Sequence, residues 1–328
     1  MEKLLRNLRQ MAIRVLDANE YKNFLELASR FPNFNLYNLL LLNYQMPGAT
    51  LVAGQNAWRD NYNLQVKDDE RAICLLRPTL LDDNKTLGYS QIAVFDVSQL
   101  DRMPELKKEE FSIPEFYNEV TNRTFSYDNQ GFLDDEEYKV LDDEIIIKEH
   151  AHLSAEENER NASKQILMSF IDNDCGLRNV TVEEKLVVKS VKYILTMRYG
   201  LEPDAISSVF IPAGFKASKK DALQFLNNIL SITNEIIEQI EHRAYVEFNF
   251  AELAFINLLI DAECEEDYDD LLELEIENDD EFLNMARAKL IDKLEYLSEI
   301  DFQRIFADRQ NNKMLTQPPY RCKLIENV

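Results

Sequence analysis

Apolar residues first recur three and four apart, then crowd together, then alternate, and each regime predicts its own kind of element. Leu4, Leu5, Leu8, Met11, Ala12 and Val15 form one stripe, and Tyr21, Phe24, Leu25 and Ala28 a second, so residues 2–31 read as two short amphipathic helices. "NLYNLLLLNYQ" (35–45) is apolar on most sides, which predicts a central helix stopped by Pro47-Gly48. Three β-like stretches follow: "ATLVAG" (49–54), "RAICLLRP" (71–78) and "YSQIAVFDV" (89–97). Together they predict a small α+β domain over residues 1–100.

Beyond it, 101–137 reads as a polar connector, "KKEE" (107–110) being a solvated charge doublet pair. "YKVLDDEIIIKE" (138–149) alternates as a hairpin turning at Asp142-Asp143. "NASKQILMSFI" (161–171) places Ile166, Leu167, Phe170 and Ile171 at helical spacing, behind a capping box of Ser154 and Glu157. "VEEKLVVKSVKYILTMRYG" (182–200) predicts a helix stopped by Gly200. Residues 218–244 predict another, with Leu223, Leu226, Leu230, Ile236, Ile237 and Ile240 on its buried side. The pattern therefore divides the chain at 1–100, 101–137, 138–244 and 245–328, the last an acidic helical region.

Charge sharpens this division. The chain carries a net charge of −24, yet residues 1–100 hold 11 basic and 11 acidic side chains, so the whole excess falls beyond residue 100. A polyanion is repelled by the second region and tolerated only by the first. Within the acidic part, 261–281 has 13 Asp or Glu in 21 positions and no Lys or Arg. It reads either as a solvated face over Leu271, Leu272 and Leu274 or as a mimic of duplex DNA.

Composition excludes several classes. Four scattered cysteines without CxxC spacing predict a reduced, cytoplasmic setting. No apolar run approaches the roughly 20 residues of a spanning helix, so no membrane partner is expected. There is no P-loop, GxGxxG or Ser-His-Asp string, so nucleophilic and nucleotide chemistry have no anchor and no cofactor is expected. Three histidines remain, His150, His152 and His242; "EHAH" (149–152) puts two on one side of an extended segment without a third ligand nearby. Trp58, with Arg59, Tyr62, Tyr37 and Tyr44, reads as a stacking platform for single strands or as the cap of a small core.

One ordered string is more specific. Asn38, Leu40-Leu41, Gln45, Pro47, "ATLVAG", Trp58, "VK" at 66–67 and "VFDVSQ" (94–99) resemble the N-terminal domain of ArdC-type antirestriction proteins of conjugative elements. That family pairs a single-stranded-DNA-binding domain with a zinc-peptidase-like one. The resemblance implies DNA contact through Asn38, Gln45, Trp58, Arg59 and Lys67. Where the family carries a basic, glycine-containing turn, this chain reads "DDERA" (68–72), which reverses the charge.

"SVKYILTMRYGLEP" (190–203) is similar to the family's second domain, whose HExxH helix binds Zn²⁺. The HExxH positions fall on Lys164, Gln165 and Met168, and the third-ligand position at or beside Lys189. The resemblance thus implies a zincin-like fold without metal or chemistry, a pseudoenzyme. The expected function is binding: single-stranded DNA, in a protein of a bacterial mobile element or phage. The alternative is an acidic inhibitor that occupies a host defence or DNA-processing protein.

Overall fold

The computed structural model describes residues 2–32, 34–80, 86–104, 124–128, 130–133, 136–141, 144–174, 181–201 and 219–240. It adds short pieces at 106–108, 113, 275–277, 280, 283–291 in part and 322–324. The fold is α+β. By contact the chain forms two compact units, residues 1–11, 30–108 and 244–328 in the first and 12–29 and 109–243 in the second. This differs from a boundary at residue 100, because residues 12–29 group with the later helices. Helices α1 (Glu2–Val15) and α2 (Ala18–Arg30) follow the two amphipathic stripes.

In the first unit, α3 (Leu36–Gln45) starts where the Asn35 side chain accepts from the Asn38 N–H, and ends at Met46 before Pro47-Gly48. Its apolar residues from Leu36 to Leu42 are buried on every side, as the lack of a polar face foretold. Strands β1 (Val52–Ala53), β2 (Ile73–Leu80) and β3 (Thr86–Asp96) follow, β3 lying between the other two. β2 and β3 form an antiparallel hairpin from Ile73↔Val94 to Leu80↔Leu87. Between β1 and β2 comes α4 (Gln55–Tyr62), a helix the polar pattern "QNAWRDNY" hid; Asn63 ends it in the left-handed conformation at φ 51°. An Asn side chain tolerates that conformation better than most.

"VFDVSQ" closes the unit. The buried Asp96 carboxylate accepts from Thr50 N–H at 2.7 Å, Leu51 N–H at 3.0 Å and Ser98 N–H at 3.0 Å. Gln99 completes a capping box by accepting from the Asp96 N–H. Strand β4 (Leu106–Lys108) lies within the expected connector.

In the second unit, β5 (Thr124–Asp128), β6 (Tyr138–Val140) and β7 (Glu144–Lys148) form a sheet in the order β5-β7-β6. β6 and β7 are the expected hairpin; its turn residues 142–143 lie outside the described residues. β5 lies in the stretch read as a connector and pairs in parallel with β7. Its alternation of Thr, Phe, Ser, Tyr and Asp suits an edge strand with one half-covered face.

Helices α5 (Ala155–Asp174), α6 (Val182–Arg198) and α7 (Lys219–Ile240) complete the unit. The Ser154–Glu157 capping box forms at 3.2 and 2.7 Å, and Thr181 with Glu184 forms a second. Gly200 stops α6 at φ 64°. Tyr21 on α2 joins Ser190 on α6 through a buried hydroxyl pair at 2.5 Å, and the Tyr193 hydroxyl donates to Glu26 at 3.2 Å. These contacts explain why residues 12–29 group here.

In the acidic region, β8 (Glu275–Ile276) pairs in parallel with β3, and β9 (Cys322–Leu324) pairs antiparallel with β4. Most of 261–281, together with His242, Cys175 and Cys264, lies outside the described residues. Among the described residues, no helix is long and apolar enough to cross a membrane.

Candidate functional site

The five residues expected at a DNA surface all belong to the first unit, and four of them, Asn38, Gln45, Trp58 and Lys67, bond its own backbone. Asn38 and Gln45 stand two turns apart on one side of α3. The Asn38 amide donates to the Leu76 carbonyl at 2.9 Å and accepts from the Leu76 N–H at 2.8 Å. Gln45 does the same for Cys74, donating at 2.9 Å and accepting at 2.9 Å, and also donates to Leu41 C=O. Cys74 and Leu76 are alternate residues of β2, and alternate residues turn their backbone groups to the same edge. The two amides thus close the β2 edge that β3 does not reach. Asn38 is wholly buried, so it cannot meet a nucleotide; an uncovered edge would also invite foreign strands.

Trp58 does not reach the surface either. Its ring is only 1% exposed, packed with Leu51, Ala53, Leu64, Val97 and Leu100, and its indole N–H donates to the Phe95 carbonyl at 2.9 Å. A stacking platform needs an open ring face, and this ring is the centre of a small core. Tyr62 packs beside it at 5.6 Å between centroids, and Tyr37 is buried. Of the expected aromatic set only Tyr44 faces outward, 57% exposed.

Arg59 and Lys67 do reach the surface. The Arg59 guanidinium is paired with the neighbouring Asp60 at 2.7 Å, and that hydrogen bond raises the Arg59 pKa and lowers the Asp60 pKa. The Lys67 ammonium donates to the Ser98 carbonyl at 2.8 Å. The turn after it exposes Asp68, Asp69 and Glu70, with Asp69 at φ 68°. In sequence three exposed cations, Arg59, Lys67 and Arg71, are interleaved with four carboxylates, Asp60, Asp68, Asp69 and Glu70, a balance that gives little attraction for phosphate.

On α5, Lys164 and Met168 are half-buried, and Gln165 between them is 9% exposed, its amide donating to Asn161 at 3.1 Å. The ammonium of Lys164, the amide of Gln165 and the thioether of Met168 do not make a donor set that fits Zn²⁺. Nor do His150 and His152 build a replacement. Their rings meet edge to face at 5.5 Å, with His150 Nε2 at 2.8 Å from Glu137. Among the described residues, no group of three or more His, Cys, Asp or Glu could hold a metal ion.

No protein-family model and no curated protein matches the chain. Two solved structures are similar to it, both of the antirestriction protein ArdC from the R388 plasmid. The metal-free crystal structure is 13% identical, covers 72% of this chain and 98% of its own, and has a TM-score of 0.41. The Mn(II)-bound structure is 12% identical, covers 71% and 97%, and has a TM-score of 0.43.

Proposed function

We propose that this chain is a non-catalytic antirestriction protein of a mobile element, acting by surface contact with a host defence or DNA-processing protein. The ordered motif string from Asn38 to Gln99 supports the antirestriction setting. The absence of chemistry is supported by the side chains at 164, 165 and 168, none of which can serve a zinc-bound water.

One observation carries the choice of target. Asn38, Gln45, Trp58 and Lys67 spend polar atoms on this chain's backbone, Arg59 is paired with Asp60, and the exposed turn after Lys67 carries Asp68, Asp69 and Glu70 against Arg71. A surface so balanced, in a chain of net charge −24, favours a basic protein over a polyanion. The exposure of Tyr44 favours a second reading, single-stranded DNA stacked on that ring beside Gln45.

Expression in a restricting cell, scored by entry of unmodified DNA, tests the setting: protection is expected, and none refutes it. Anisotropy of a labelled single-stranded oligonucleotide tests the target. Flat anisotropy is expected, whereas binding that falls steeply with salt would move the assignment to DNA.

A further inference from the structure

A protein target needs a surface, and strand β6 offers one that the reading above does not use. Among the described residues β6 is paired on one side only, to β7. The register fixes which backbone groups are left. Leu141 N–H bonds Glu144 C=O, and Lys148 N–H bonds Glu137 C=O. In an antiparallel ladder such bonded pairs alternate with non-bonded ones. Tyr138 and Val140 are therefore the residues that turn N–H and C=O away from β7.

Apolar side chains are exposed here too: Val140 and Leu141 at 49% each, and Leu133 at 71%. The tetrapeptide LDDE occurs on both sides of β6, at 133–136 and 141–144, so residues 133–144 carry seven carboxylates and one cation, Lys139. That lysine is turned back on its own loop. Its ammonium donates to the Gly131 carbonyl, stands 3.5 Å from Glu136 and lies 4.9 Å from the Phe132 ring centroid. Soluble proteins commonly guard an edge with an outward lysine or a proline. This edge has an exposed valine, with carboxylates in the sequence at both ends.

We propose that β6 is a strand-addition site for an extended segment of the target protein in which aliphatic and basic residues alternate. The inference rests on the protein-target reading. Main-chain bonds to Tyr138 and Val140 would supply affinity, and ammonium or guanidinium groups would answer the flanking carboxylates. A polyanion and a second copy of this acidic chain are both repelled by the same charges.

The test uses the full chain and two labelled peptides, one alternating lysine with valine and one alternating glutamate with valine. Val140→Pro removes an outward N–H that the β7 ladder does not use, so the hairpin is kept. Val140→Lys keeps the N–H and adds a like charge. The lysine peptide is expected to bind the wild type and to lose about tenfold or more in affinity with each variant, the glutamate peptide binding none of them.

Equal binding of the lysine peptide to all three proteins overturns the site, since it would report only attraction to an anionic chain. No binding to the wild type overturns it as well, and so does a wild-type dimer that Val140→Pro disperses. Cellular protection separates the two levels. If the peptide fails to bind while wild-type protection persists and oligonucleotide anisotropy stays flat, the strand is refuted and the protein-target reading stands. If wild-type protection itself is absent, that reading fails.

Discussion

Asn38→Ala should unfold the first unit far more easily while leaving its surface unchanged. The Asn38 amide is wholly buried and makes both a donor and an acceptor bond to Leu76, itself only 2% exposed. Truncation orphans a buried N–H and a buried C=O, each costing about 1–3 kcal/mol, so the loss is about 2–6 kcal/mol. For units of this size each kcal/mol moves the melting temperature by about 2–4 °C, which gives a drop of roughly 4–24 °C. Gln45→Ala is the control. Its bonds to Cys74 are exposed to solvent, so water can replace them and the cost stays under about 1 kcal/mol. The chain has a single tryptophan, Trp58, buried in this unit, so its fluorescence reports this unit's unfolding alone. A melt of Asn38→Ala matching wild type, or equal losses for both variants, would refute the edge-closing role.

Further outcomes follow from the same contacts. Tyr21→Phe should cost about 0.5–1.5 kcal/mol in a circular-dichroism melt, because Ser190 loses its buried partner. Burial pushes the Tyr21 pKa well above the usual range, the Ser190 bond offsetting part of this. A raised folded pKa gives stability that is complete below the unfolded value near 10 and lost as pH rises above it. The variant should therefore show a shallower decline in stability above about pH 10; an unchanged decline would contradict this. Thr181→Ala removes the cap of α6 and should cost about 1 kcal/mol, read in the same melt. Arg59→Glu with Lys67→Glu should leave both oligonucleotide anisotropy and cellular protection at wild-type values; loss of either would return those cations to a binding surface.

The helices were legible where one face or every face was apolar. α3, α6 and α7 fall within a few residues of their patterned bounds, and the capping box at Ser154 forms as spaced. α4 escaped because its one large buried residue, Trp58, sits among polar neighbours that solvent covers. β5 escaped because an edge strand needs few apolar positions.

The candidate site misled for a related reason. A polar residue on an otherwise apolar helix signals a buried hydrogen bond as readily as a ligand contact, and for Asn38 and Gln45 the partner is a strand 38 and 29 residues on in sequence. Nothing local to α3 reveals that strand. The carboxylates of 68–70 were legible directly, since their charge and exposure need no partner to be read.

Metal content of the purified chain after incubation with zinc and exhaustive dialysis tests the central claim most directly. A lysine, a glutamine and a methionine at 164, 165 and 168 predict less than about a tenth of an equivalent retained per chain. One tightly held zinc per chain, lost on substituting a residue of α5, would contradict an account based on surface contact alone.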